Sequence, residues 1–371
     1  MRFPGFSDEW KQTTLNEVAN FIKERVNTSC LQDDNYISTE NLIGNFGGVQ
    51  TAVSIPSDTN VIHFKKGDVL VSNIRPYLRK VWFADKEGGC SADVFVFRAK
   101  GIEPSFLYNT IANDSFINYV MSGAKGVKMP RGDKQQMLKY SLFVPSIEEQ
   151  RKISSLLSLL DERIAAQNKI IEDLKKLKSA IIDKLYAEVI GKEYSYSDLF
   201  SIVTERNTNR SYSRVIAASQ EYGMIERDSL NLKVQFDDSS LHTYKIIHPG
   251  DYVIHLRSFQ GGYAFSRLKG ICSPAYIILR PQESVEYGYF EHYFTSTKFV
   301  NSLRLVTYGI RDGRSINVEE WLSMKVCLPS PKGQQQIIQT IKSFDDKLQN
   351  EFAIYSALLK QRSYLLGEMF I

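Results

Sequence analysis

Residues 147–190 constrain this chain more than any other stretch. Apolar side chains recur at Ile153, Leu157, Leu160, Ile164, Ile171, Leu174, Ile181 and Leu185 in alternating steps of four and three, interrupted only by polar Gln167 and Lys178. That is the heptad seam of a coiled-coil helix. No Gly or Pro lies between Ile147 and Gly191, and at the helical rise the segment extends roughly 65 Å. A helix of that length must pack along another. The partner is encoded in the same chain: Ile337, Ile341, Phe344, Leu348, Tyr355, Leu358, Leu365 and Met369 repeat the seam 184 residues later. Glu351 and Arg362 repeat its two interruptions. Unrelated amphipathic helices capping separate domains would not share both apolar and polar positions at one offset, so we read an internal duplication.

The duplication extends through the rest of the chain. Leu15–Asn27 and Ser197–Asn209 each offer a short apolar segment followed by Glu-Arg. The Gly67-Asp68 pair, followed by DVLVSNI, VWFAD and DVFVFRA, has its counterpart in Gly250-Asp251 with DYVIHLR, GYAFSRL and AYIILRP. These alternating, β-rich runs predict strands, entered through Gly-Asp turns. Amphipathic helices are predicted over Phe106–Met121 and Phe290–Leu305. A Gly-rich basic loop follows each, and then a strand ending in FVPS or CLPS, where Pro145 and Pro329 set the start of the long helices. The expected fold is α+β. Two tandem mixed α/β domains, 1–146 and 191–334, are separated by long helices 147–190 and 335–371, which form an antiparallel intramolecular coiled coil with pseudo-twofold symmetry.

At 371 residues the chain accommodates two domains and their connecting helices. No apolar run is long enough to span a bilayer, and MRFPGFSDEW has no signal-peptide pattern. The expected location is cytoplasmic, without membrane association. Cys30, Cys90, Cys272 and Cys327 are far apart and form no CxxC pair, which predicts reduced, mostly buried thiols. The net charge is +4, yet residues 148–190 hold eight basic and eight acidic side chains and residues 335–371 four of each. The excess therefore belongs to the globular portions, as polyanion binding requires.

The candidate binding residues sit in two places per repeat. Lys125, Lys128, Arg131 and Lys134 lie among glycines in SGAKGVKMPRGDK, and Tyr308, Arg311 and Arg314 lie in the matching TYGIRDGRS. Glycine lets backbone approach a phosphate, while Arg and Lys neutralise it or read guanine edges. A second stretch has Arg75, Tyr77, Arg79 and Lys80, matched by Arg257, Phe259 and Gln260. Fork donors, amides and aromatics in this mix suit base recognition. The repeats share their apolar framework and differ most at these exposed positions, as one scaffold reading two sequences would.

Catalytic patterns are missing. There is no GxxxxGK[ST] phosphate loop and no GxGxxG after a strand. Ser273-Pro274-Ala275-Tyr276 lacks the amide and second proline of an adenine-methyltransferase motif, and we read it as part of a buried strand. The five histidines have no metal-ligand spacing. No metal site is expected.

FPGFSDEW at the start, the junction PSIEEQRKISSLLSLLDERI, and its degenerate copy PSPKGQQQIIQTIKSFDDKL resemble the specificity subunits of type I restriction-modification systems over essentially the full length. In the second copy Gly333 replaces Glu149, while Gln334 matches Gln150. The resemblance implies two target-recognition domains that read an asymmetric bipartite double-stranded DNA site, with the helices fixing the spacer. It implies two methyltransferase subunits that supply S-adenosylmethionine, and restriction subunits that use ATP with Mg. This chain would carry no cofactor and no catalytic residue. A diverged, self-sufficient DNA methyltransferase and a coiled-coil adaptor without sequence preference are the alternatives.

Overall fold

The computed structural model describes residues 2–219, 222–230, 238–255, 262–308 and 315–370. It forms two compact units, one of Met1–Asn168 with Ala353–Ile371 and the other of Lys169–Phe352. The two long helices, Ile147–Ala187 and Pro331–Met369, are each shared between the units. Half of each helix packs with one globule and half with the other.

In the first unit an antiparallel sheet has the strand order Ala19–Phe21, Val94–Ala99, Val69–Ser72, Val81–Phe83. Its central strand Val69–Ser72 is buried throughout, which suits an unbroken β-branched and aliphatic run. Gly67 opens that strand at φ 89°, a conformation that disfavours any side chain. Asp68 follows it, is 1% exposed, and accepts from Arg98 Nε and Nη2 at 2.8 Å each and from the Lys65 amide at 2.8 Å. A charge this deeply buried is tolerable because it is paired and bonded on both oxygens.

The second unit repeats this arrangement. Its sheet runs Phe200–Val203, Ile277–Pro281, Tyr252–Ile254, Tyr263–Phe265. Gly250 has φ 96°, and Asp251 accepts from Arg280 at 2.9 Å on each oxygen and from the His248 amide at 2.9 Å. Even the cap of the short opening helix recurs, with Glu17 bonding the Thr14 amide and Asp198 the Ser195 amide.

Three local expectations need correction. Phe106–Met121 is not one helix but two, Pro104–Ile111 and Asp114–Ser122, because Asn113 turns its side chain onto the Ser115 amide and caps a new start. Phe290–Leu305 breaks likewise into Tyr289–Tyr293, Thr297–Ser302 and a 3-10 turn, with Ser296 capping the second piece. Ser273–Tyr276 is a partly exposed turn rather than buried strand: Pro274 has no amide to donate, and the Ser273 carbonyl accepts from the Tyr276 amide at 3.1 Å. Of the thiols, Cys90 and Cys272 are buried, while Cys327 is half-buried and Cys30 exposed.

The junctions into the long helices are built alike. Gln150 accepts from the Glu103 amide at 2.8 Å and donates to the Pro145 carbonyl at 2.8 Å. Gln334 accepts from the Glu286 amide at 2.8 Å and donates to the Pro329 carbonyl at 3.1 Å. Glu149 instead binds the chain's opening segment, taking Arg2 at 2.7 Å and Trp10 Nε1 at 3.2 Å. Gly333 cannot make that contact, so it belongs to the first repeat alone.

All sixteen seam positions are buried or half-buried. In the first unit Ile153 and Leu157 share a core with Leu366 and Met369, and further along Asp161 pairs with Arg362. One helix is ascending in number while the other descends, so the two are antiparallel. In the second unit Lys178 pairs with Asp345, and Ile182 and Tyr186 share a core with Ile341, which is the same sense. The basic seam residues Lys178 and Arg362 are thus employed rather than merely tolerated. Arg362 is 8% exposed. Burial opposes its charge, but Asp161 with Tyr108 beside it outweighs that, and its pKa is raised. Tyr108 itself is pushed up to about 12 by burial. Where the first unit groups Asp161, Arg362 and Tyr108, the second groups Asp345, Lys178 and His292, with His292 Nε2 3.6 Å from Asp345.

Candidate nucleic-acid interface

The basic loop of the first repeat is a closed hairpin. The helix Asp114–Ser122 ends at Gly123, after which Lys125 and Arg131 exchange backbone hydrogen bonds of 3.0 and 2.9 Å. Gly126 makes the turn at φ 98°. Asp133 secures the exit by accepting from the amides of Gln135 and Gln136 at 2.8 and 3.1 Å and from Lys125 Nζ at 3.4 Å. The Gln136 amide, with Lys125 and the Gln135 amide, holds the Asp133 carboxyl below its usual range.

The second basic stretch lies against this hairpin. The Arg75 amide donates to the Pro130 carbonyl at 2.8 Å, and the Gly132 amide donates to the Asn73 carbonyl at 3.0 Å. Two candidate segments some fifty residues apart in sequence therefore form one surface. Arg75 and Arg79 flank the turn Pro76–Leu78 with left-handed backbones, φ 51° and 54°. Such conformations cost a non-glycine residue about 1 kcal/mol each and persist where neighbours over-determine them. Here the neighbours are Pro130 and the loop Asn45-Phe46, whose amides donate to the carbonyls of Leu78 and Arg79 at 2.9 Å each. Phe46 in turn stacks on Arg362, 5.8 Å from ring centre to guanidinium. A groove of about 510 Å³ lined by Asn45, Phe46, Arg79, Asp161 and Arg362 lies at this junction.

The candidates are not equally available. Tyr77, Lys125, Lys128 and Arg131 are exposed; Arg131 has Asp93 at 3.5 Å. Arg79 is tethered to Asp114 at 2.6 Å and Lys80 donates to the Thr39 carbonyl. Lys134 lies 3.7 Å above the Phe21 ring, and burial, with Lys23 nearby, lowers its pKa. Arg75 Nε is buried without a hydrogen-bond partner among the described residues. Sequence reasoning missed Val127 and Met129, which protrude from the same hairpin. Their signal was an apolar residue on either side of Lys128 in an otherwise polar loop.

In the second repeat Arg257, Phe259, Gln260, Arg311 and Arg314 lie outside the described residues, as does the Tyr308 side chain. The stem of that basic loop is described. Tyr308 pairs with Ser315, and Thr307 with Ile316, as antiparallel strands, so both basic loops are closed by backbone pairing. Among the described residues no group of three or more His, Cys, Asp or Glu could hold a metal ion, and no helix is long and apolar enough to cross a membrane.

The class of protein defined here is a duplicated α+β unit built on paired long helices, with a basic hairpin closed by backbone pairing on the surface of the first repeat. Residues 7–176 match the family model described as the type I restriction modification DNA specificity domain. The chain is similar to the MjaVIII specificity subunit of Methanocaldococcus jannaschii, at 22% identity over 92% of this chain and 87% of that protein. Its similarity to the EcoDI specificity subunit of Escherichia coli is 22% over 49% of this chain, and this spans less than half of that protein, 43%. Among solved structures, a chain from a study of the assembly and conformational transition of the type I R-M system has a TM-score of 0.62 at 17% identity, covering 98% of both chains. The S subunit from M. genitalium has a TM-score of 0.55 at 15% identity, covering 100% of this chain and 97% of that one. At such identities these two likenesses speak for the fold. The chain is thus similar to the specificity subunits of type I restriction-modification systems, and the match to their DNA specificity domain lies in its first repeat and long helix.

Proposed function

We propose that this protein is the DNA-reading subunit of a type I restriction-modification complex. Each recognition domain takes one half of an asymmetric bipartite site, and partner subunits methylate an adenine in each half or cleave the DNA. The observation that carries the reading is the specificity-domain match over residues 7–176, which includes both segments of the basic surface. That match favours neither a self-sufficient methyltransferase nor an adaptor indifferent to sequence.

We take residues 1–146 and 191–334 as the recognition domains, and residues 147–190 and 335–371 as the helices that set the distance between half-sites. The seam residues from Ile153 to Leu185 and from Ile337 to Met369 form the coiled-coil interface. In the first domain Tyr77, Lys125, Lys128 and Arg131 contact DNA directly. Arg79, Lys80 and Lys134, held by Asp114, Thr39 and Phe21, shape the surface and contribute field rather than reach. In the second domain Arg257, Gln260, Tyr308, Arg311 and Arg314 serve the other half-site. The chain supplies no catalytic group. S-adenosylmethionine resides on two methyltransferase subunits, ATP with Mg on restriction subunits, and the whole acts in the cytoplasm.

The test is DNA binding by the assembled complex as salt is varied. Removing the cations of Lys125, Lys128 and Arg131 together lowers the slope of log affinity against log salt by about 2–3, since each phosphate contact contributes roughly 0.9. An unchanged slope would show that this surface does not face DNA.

A further inference from the structure

Val127 is fully exposed and Met129 is 49% exposed, at the tip of the hairpin closed by Lys125 and Arg131. Single exposed apolar residues are ordinary. Two at the tip of a braced hairpin are not, because the closed stem and the Pro130 anchor prevent the tip from folding them inwards, and their burial is forfeited unless a partner covers them. The same hairpin surrounds them with Lys125, Lys128 and Arg131, so the partner that covers the apolar tip is a polyanion. Duplex DNA offers both parts, phosphates outside and a base stack into which apolar side chains insert as wedges.

We propose that Val127 and Met129 form a wedge that enters the base stack of the first half-site, beside the adenine that must leave the helix to be methylated. This rests on the functional reading above. The cations of the hairpin would grip the phosphates on either side and so set the depth of insertion. The anchors to Asn73 and Arg75 tie the wedge to the segment that presents Tyr77. The loop of the second repeat has an apolar residue in the corresponding setting by sequence, Ile310 between Gly309 and Arg311.

The experiment uses the complex of this chain with its methyltransferase subunits and a duplex carrying 2-aminopurine in place of the first half-site's target adenine. In Val127→Ser/Met129→Ser, the fluorescence rise on binding falls at least about fivefold, and on the same duplex with adenine kept at the target position first-half-site methylation falls alongside. The salt slope of binding and methylation of the second half-site stay as in the parent. A mismatch opposite the target adenine, which makes extrusion cheaper, restores the variant. Fluorescence and methylation within about twofold of the parent would overturn the wedge. So would loss of the isolated chain's binding to anionic vesicles in the variant without any change in fluorescence, which would assign the tip to lipid. A parent complex that shows no sequence preference would instead sink the functional reading itself, and the wedge with it.

Discussion

Replacing Asp161 by Ala removes the carboxylate that pairs with Arg362 among the described residues, leaving a guanidinium that is 8% exposed in the helix seam without it. Breaking a buried pair in this way costs about 3–5 kcal/mol. The Asp161 side chain is 35% exposed, so water already screens the pair, and we set the loss at about 2–3 kcal/mol. For a unit of this size that lowers Tm by roughly 5–10 °C. Arg362→Met should cost less, about 1 kcal/mol, because Asp161 left alone can hydrate. The double variant Asp161→Ala/Arg362→Met carries no buried charge and should lie within about 1 kcal/mol of the parent. Urea unfolding of the four proteins closes the cycle. If Asp161→Ala costs under about 0.5 kcal/mol, or if the two single losses add in the double variant, the pair does not hold the helix register.

Other perturbations probe different parts of the account. Burial lowers the pKa of His292, with Lys178 adding to the effect and Glu291 and Asp345 opposing it. Unfolded His takes a proton below 6.5 while the folded one stays neutral, so stability falls as pH drops below that value and levels off below the folded pKa. His292→Tyr, which copies Tyr108, should flatten this slope; thermal melts between pH 7 and about 5 that keep it would refute the assignment. Gln150→Leu leaves the Glu103 amide and the Pro145 carbonyl without their partner and should cost roughly 2–3 kcal/mol in urea unfolding, whereas a loss no larger than that of an exposed substitution would mean the junction is not held there. Glu149→Gln should free the opening segment, seen as faster proteolysis near Trp10 with the long helix intact by circular dichroism; unchanged proteolysis would refute its anchoring role.

The architecture was legible because it was written in periods. A heptad seam and an offset of 184 residues are global signals, and even the polar interruptions carried information, since Lys178 and Arg362 occupy equivalent places in the two units. Local breaks were not legible. Asn113 and Ser296 sit in amphipathic patterns that continue across them, and only the folded backbone shows their side chains capping a new helix. The same limit applied to the binding surface. Composition picked out Arg79 and Lys134 as readily as Lys125 and Lys128, but their ties to Asp114 and Phe21 depend on contacts made across the fold. Charge is visible in sequence; whether a charge is already engaged is not.

The most direct test of the central claim is to co-express this chain with its methyltransferase subunit, expose DNA to the pair, and map N6-methyladenine by single-molecule sequencing. The account predicts a split, asymmetric motif with a spacer of fixed length. Methylation without any motif, a stable complex that methylates nothing, or modification by this chain alone would contradict it.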